Sequence, residues 1–139
     1  FDEVIVCVML NATKTSPMFT IRERVDMVTR ATERYQNVRV DTSDILLAEY
    51  ARRIPNAVIV KGLRAASDFD YEFQIALINK KMNPDLDTLF LTASEKYTFL
   101  SSTVVKEMAL YGADLSEFAP VEIIDDIKQR INDRRQTNA

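Results

Sequence analysis

Residues 4–10 read Val4-Ile5-Val6-Cys7-Val8-Met9-Leu10, an unbroken apolar run dominated by β-branched side chains. Such a run predicts a strand buried on both faces, as in a parallel sheet covered by helices. Downstream, after a polar stretch over 11–17, Thr20-Ile21-Arg22-Glu23 has capping-box spacing, so Thr20 and Glu23 can satisfy each other's free backbone N–H groups and start a helix. Ile21, Val25, Val28 and Ala31 then share one helical face, and 38–40 reads as a second strand. A helix over 44–53 and a third strand over 57–61 follow. Ser67 or Asp68 can cap a third helix reaching Met82, and a fourth strand covers 88–91. Ser101, Ser102 and Thr103 can cap a helix that runs to Tyr111, with Gly112 as its stop. Pro120 suits the first turn of a last helix striped by Ile124, Ile127 and Ile131, and 134–139 reads as a frayed tail.

Strict alternation of strands and helices predicts an α/β fold, a doubly wound parallel sheet with right-handed crossovers and ligands at the carboxyl ends of its strands. The loops that follow strands, 11–16, 62–66 and 92–103, are then the places to look for chemistry. A length of 139 residues with 47% apolar content suits a single domain over 1–139.

Composition narrows the chemistry. A net charge of -3 gives no broad positive field for nucleic acid or an anionic membrane, so any anion site is local. The single cysteine, Cys7, cannot close an internal disulfide, and the lack of histidine removes most zinc-site and histidine-based catalytic designs. A reducing cytoplasm fits these features. No apolar stretch approaches the roughly 20 residues of a membrane span, and no leader pattern is read before Phe1.

Three segments carry candidate chemistry. Ser101-Ser102-Thr103 places hydroxyls beside the unpaired N–H groups and positive dipole end of a helix, an anion seat made without glycine; the same residues also make an ordinary helix cap. Lys61-Gly62-Leu63-Arg64 ends a strand with two cations and a glycine that permits close backbone approach; alone, such cations are commonly solvated surface charges. Glu72, on the next helix, can accept from an adenine amine or a ribose hydroxyl, or stand in solvent as a helix carboxylate. Lys14 follows the first strand and can reach an anion on a second substrate.

Taken in order, these segments resemble phosphopantetheine adenylyltransferases across essentially the whole chain. The sharpest matches are Gly62-Leu63-Arg64-Ala65 with Ser67-Asp68-Phe69 and Tyr71-Glu72, then 97–107, then Gly112-Ala113-Asp114-Leu115-Ser116. Leu100-Ser101-Ser102-Thr103-Val104-Val105-Lys106 is also similar to the Ile-Ser-Ser-Thr signature of the wider nucleotidyltransferase superfamily. The resemblance implies a Rossmann-like nucleotidyltransferase fold that holds ATP through Gly62, Leu63, Arg64, Glu72, Tyr97, Thr98, Phe99, Leu100, Ser101, Ser102 and Thr103. It implies that 4'-phosphopantetheine is held by Lys14, Leu47 and Lys61, with Lys14 and Arg64 as the catalytic cations. Mg²⁺ would arrive bound with ATP, no residue of this sequence being named as its ligand, and the assembly would be a cytoplasmic homo-hexamer. The products would be dephospho-coenzyme A and pyrophosphate, with no covalent enzyme intermediate.

Four departures qualify the resemblance. Lys61 stands where many relatives carry arginine, which keeps the charge but not the bidentate geometry; Thr103 replaces a usual serine; and the Lys14 loop is one residue longer before Pro17. The Gly-x-Phe-Asp-Pro and Gly-His segment that opens family members is not in this sequence. Its absence accounts together for the missing histidine, the scarcity of glycine and the start at Phe1. The expectation is that about 27 residues precede Phe1, ample for a strand, loop and helix. A nucleotide-binding module without catalysis and a flavodoxin-like scaffold are the alternatives from other functional classes.

Overall fold

The computed structural model describes residues 1–10 and 17–137; the 11–16 loop, which includes Lys14, lies outside the described residues. In chain order the elements are β1 (Val4–Met9), α1 (Ile21–Thr32), β2 (Val38–Ser43), α2 (Leu47–Ala51), β3 (Val58–Leu63), α3 (Ala66–Met82), β4 (Asp87–Thr92), α4 (Ser102–Leu110) and α5 (Ile124–Thr137). Short 3₁₀ turns occupy Glu95–Tyr97 and Val121–Ile123. This is the α/β alternation expected from the sequence. The chain divides into two compact units, one made of residues 1–42 and 100–139, the other of residues 43–99.

In the first unit β1 pairs with β2. Val4 N–H donates to the Asn37 carbonyl at 2.8 Å, and the Thr42 hydroxyl donates to the Val8 carbonyl at 3.0 Å. Within β1 only Val8 is buried and Val4 is exposed, so the strand is half-covered and not enclosed on both faces. The apolar run reports how hydrophobic the strand is, and leaves unsaid how many sides receive a cover.

The capping box of α1 forms as its spacing predicts. Thr20 N–H donates to Glu23 Oε2 at 2.7 Å and Glu23 N–H donates to Thr20 Oγ1 at 3.3 Å. The Thr20 backbone and hydroxyl, with a smaller contribution from Arg130, hold the Glu23 carboxyl below its ordinary range. Arginines then tie α1 to α5: Arg30 bonds Asp26 at 3.0 Å and Asp126 at 2.7 Å, while Arg130 bonds Glu23 and lies 4.9 Å over the Phe19 ring. Beneath them Ala109, Leu115, Ile124, Ile127 and Ile131 form the core of this unit. Leu115 is fully buried, worth about 1.5–3 kcal/mol by area. Helix α4 ends where Gly112 adopts φ 73°, its N–H donating to Ala109 at 3.1 Å and that of Ala113 to Met108 at 3.0 Å. That paired pattern is the αL stop for which glycine is suited.

In the second unit β3 and β4 pair in parallel, with Val60 opposite Leu89 and Lys61 opposite Phe90, and α3 makes the crossover. Helix α3 packs on the sheet through Phe69, whose ring meets Phe90 edge-on at 5.7 Å and stacks on Phe73 at 5.3 Å. Ala48, Ala51 and Leu86 make the core, with Ala57, Ile59 and Met82 packed against it. Alternation along the strands leaves Val58, Val60, Leu89 and Leu91 exposed.

Several boundaries differ from those expected. Helix α2 starts at Leu47 and not at Asp44, because β2 runs on to Ser43, whose hydroxyl accepts from Ile45 N–H at 3.3 Å, and Leu46 stays extended. Strand β3 continues to Leu63, so Gly62 and Leu63 are ladder residues opposite Leu91 and Thr92 and not part of a loop. The cap position of α3 is Ala65, which puts Ser67 and Asp68 inside the first turn. Residues 134–137 continue α5, and the Arg134 guanidinium bonds the Pro17 carbonyl at 3.4 Å, so that stretch is helical and not frayed. Among the described residues no helix is long and apolar enough to cross a membrane.

Candidate active site

In the second unit the carboxyl ends of β3 and β4 open onto a cavity of 660 Å³, lined by Leu63, Arg64, Ala65, Ser67, Thr92 and Ala93 among others. The two strand ends are joined by a bond from Ala93 N–H to the Leu63 carbonyl at 2.8 Å. The floor is the start of α3, a helix of 17 residues whose cap, Ala65, has no side chain able to accept from it. The N–H groups of Ala66 and Ser67 have no acceptor among the described residues, and with the helix dipole they favour an anion.

Arg64 is one of the residues that line this cavity. Its Nε lies 3.1 Å from Asp68 Oδ2 and its Nη2 lies 3.3 Å from Asp68 Oδ1, a two-pronged contact, while its own backbone N–H donates to Oδ2 at 3.2 Å. The Arg64 side chain, then its backbone N–H, holds the Asp68 carboxyl below its ordinary range. One turn further along α3, Glu72 faces Lys61 of β3, with Nζ 3.0 Å from Oε2. The approach is within ion-pair distance but outside hydrogen-bond geometry, so this buried carboxylate oxygen accepts no hydrogen bond. Leu47, at the first turn of α2, is half-buried. Past β4, Tyr97 and Phe99 are exposed, Lys96 sits 5.7 Å over the Tyr97 ring, and the Thr98 hydroxyl donates to the Glu95 carbonyl at 2.9 Å.

The remaining expected site residues belong to the first unit. Leu100 is half-buried, and Ser101 caps α4 by accepting from Val104 N–H at 3.2 Å. Ser102 and Thr103 are exposed, and their hydroxyls have no partner among the described residues. A smaller recess of 330 Å³ in the same unit, between α1 and α5, is lined by Glu23, Asp126 and Arg130, whose charges are paired.

Of the expected residues, Leu63 and Arg64 line one cavity, and Lys61 meets Glu72. Thr92, Ala93 and Asp68 were not among them. The signal for Asp68 was its place four residues after Arg64, close enough for a carboxylate in the first turn of a helix to reach back to an arginine before the cap. No three His, Cys, Asp or Glu side chains converge as a metal site among the described residues.

Residues 1–108 match the cytidylyltransferase-like family. The chain is 48% identical over 134 residues to the phosphopantetheine adenylyltransferase of Finegoldia magna, covering 96% of this chain and 82% of that protein. It is 52% identical over 120 residues to the protein of that name from Caldanaerobacter subterraneus subsp. tengcongensis, covering 86% and 74%, and 41% identical over 135 residues to that of Clostridium botulinum strain Hall, covering 97% and 82%. With identity at this level across nearly the whole sequence, the chain belongs to the phosphopantetheine adenylyltransferase family.

Proposed function

We infer that this chain catalyses adenylyl transfer from Mg-ATP to phosphopantetheine in coenzyme A synthesis. An oxygen of the phosphopantetheine phosphate attacks the α-phosphorus of ATP. One P–O bond forms, the bond to the β-phosphate bridge breaks, and pyrophosphate leaves with the electron pair, giving dephospho-coenzyme A. The observation that carries the reading is the family kinship over nearly the full sequence.

Alignment of two anions and stabilisation of charge at the pentacoordinate phosphorus are what such a step asks of a protein. Arg64 is assigned to the ATP phosphates, supported by its place in the lining of a cavity that also takes in the first residues of α3. Gly62, Leu63, Glu72 and residues 97–103 are proposed to complete the ATP site, with Lys14, Leu47 and Lys61 receiving phosphopantetheine. Mg²⁺ is treated as part of the substrate, held by phosphate oxygens and water. Assembly as a homo-hexamer in the cytoplasm is part of the same reading, and light scattering on the purified protein tests the hexamer.

Pyrophosphate release from ATP that depends on phosphopantetheine tests the function; release independent of phosphopantetheine, or none, overturns it. Arg64→Ala is expected to lower the rate by about two orders of magnitude or more. An unchanged rate removes Arg64 from the site.

A further inference from the structure

We propose that Asp68 is the positioning residue for Arg64, fixing the guanidinium beside the cavity that Arg64 lines by a two-pronged contact while the same carboxylate holds the Arg64 backbone. The proposal rests on the assignment of Arg64 to the ATP phosphates. An arginine side chain has many rotamers, and one that must meet a developing charge loses rate when it wanders, a 1 Å misplacement costing about a hundredfold. Asp68 removes that freedom from two directions. Its Oδ1 and Oδ2 take Nη2 at 3.3 Å and Nε at 3.1 Å, and Oδ2 also accepts the Arg64 N–H at 3.2 Å.

The placement in the helix makes the arrangement stiff. Asp68 is the third residue of α3, so its backbone is already fixed by the helix, its N–H donating to the Ala65 carbonyl at 3.1 Å. Its carboxylate therefore reaches backward over the helix start to the residue just before the cap. Nε and Nη2 form one edge of the guanidinium fork, so engaging that edge leaves Nη1 as the nitrogen that Asp68 does not take. A carboxylate beside the arginine also offsets the charge of the guanidinium in the local field, so the chain gives up some attraction for phosphate in exchange for fixed direction. An ordinary first-turn carboxylate requires no such contact, since the helix dipole alone accounts for its presence there.

The test is a steady-state and thermal comparison of the purified protein with Asp68→Asn, Asp68→Glu, Arg64→Ala and the double variant Arg64→Ala with Asp68→Asn. Asparagine keeps an acceptor for the Arg64 N–H but cannot pair with both guanidinium nitrogens. Asp68→Asn is expected to lower kcat/KM for ATP by about ten- to a hundredfold with KM for phosphopantetheine unchanged and a small shift in Tm. Asp68→Glu, which restores the charge, recovers part of the loss. The double variant is expected to be no slower than Arg64→Ala alone, within about twofold, because both changes act through one group.

Full activity per folded molecule in Asp68→Asn, beside a slow Arg64→Ala, overturns the positioning role and leaves Arg64 in the site. Multiplying losses in the double variant also overturn it. A fully active Arg64→Ala overturns the assignment of Arg64 and the positioning role together. If Asp68→Asn does not fold, Asp68→Ser, which keeps a neutral side-chain oxygen in the first turn, takes its place with the same outcomes.

Discussion

Two helix beginnings carry the candidate phosphate contacts, and they are built in opposite ways. At α4 the cap is a serine whose hydroxyl is committed to Val104 N–H, leaving Ser102 and Thr103 as the hydroxyls without a partner among the described residues. At α3 the cap is an alanine with nothing to offer, and a carboxylate from inside the first turn reaches back to hold an arginine. One start is closed by a neutral oxygen and presents neutral donors; the other is left open at its amides and presents a cation. The two therefore answer differently to substitution: at α4 stability and chemistry reside on adjacent residues, while at α3 they converge on a single carboxylate.

The largest effect is expected at α3, where Arg64→Ala removes a full charge. At α4, Ser102→Ala combined with Thr103→Val is expected to lower kcat by about tenfold while Tm stays unchanged, since neither hydroxyl holds the helix; it is a smaller loss than that of a charged donor. A drop in Tm equal to that of Ser101→Ala would erase the division between capping and donating hydroxyls. Ser101→Ala itself is expected to cost about 1 kcal/mol and a few degrees in Tm, read by calorimetry, because Val104 N–H loses its acceptor.

The smallest effect separates the two ends by acidity. Asp68 titrates below its ordinary value when folded, so its contribution to stability is present above pH 3.8 and is lost as pH falls through the lower folded value. The stability difference between wild type and Asp68→Asn in urea is expected to be constant from pH 7 to pH 5 and to shrink toward pH 3. The difference between wild type and Ser101→Ala is expected to stay level over that range, serine having no charge to lose. Equal slopes for the two variants would contradict the contrast.

Where backbone chemistry alone decides, the sequence was readable. Thr20 and Glu23 announce a capping box and form one, and Gly112 announces a helix stop and supplies φ 73°. Four strands and the helices between them follow from apolar runs and periodicity. Elements decided by competition were not readable. Asp68 looks like a cap because aspartate favours that position, yet the chain starts α3 three residues earlier and uses the carboxylate on Arg64. Asp44 looks like a helix start, but the Ser43 hydroxyl turns the chain first and delays α2 to Leu47.

The site shows the same division. Leu63, named through the resemblance, and Arg64, named as a cation at a strand end where an α/β chain is expected to meet ligands, both line the cavity. The meeting of Lys61 with Glu72 was hidden, since eleven positions separate them and only the packing of α3 on β3 brings them within 3.0 Å. Thr92 and Ala93 carry no distinctive chemistry; they fall within the strand-end loop expected over 92–103, and the register of β4 against β3 sets them opposite and beyond Leu63 in the cavity lining.

The Arg30 clasp, made to partners on the far side of the sequence, has a consequence for how the molecule comes into being on the ribosome. Its bonds to the Glu122 carbonyl and to Asp126 span 92 and 96 residues, so α1 is translated long before the groups that hold it exist. Residues 43–99, by contrast, form a continuous unit whose internal partners all emerge within one stretch of synthesis. At about 5–20 residues per second, the interval between α1 and α5 is roughly five to twenty seconds. By the end of that interval residues 43–99 have all been made, while the Arg30 guanidinium on α1 still waits for the carbonyl and the carboxylate that will hold it.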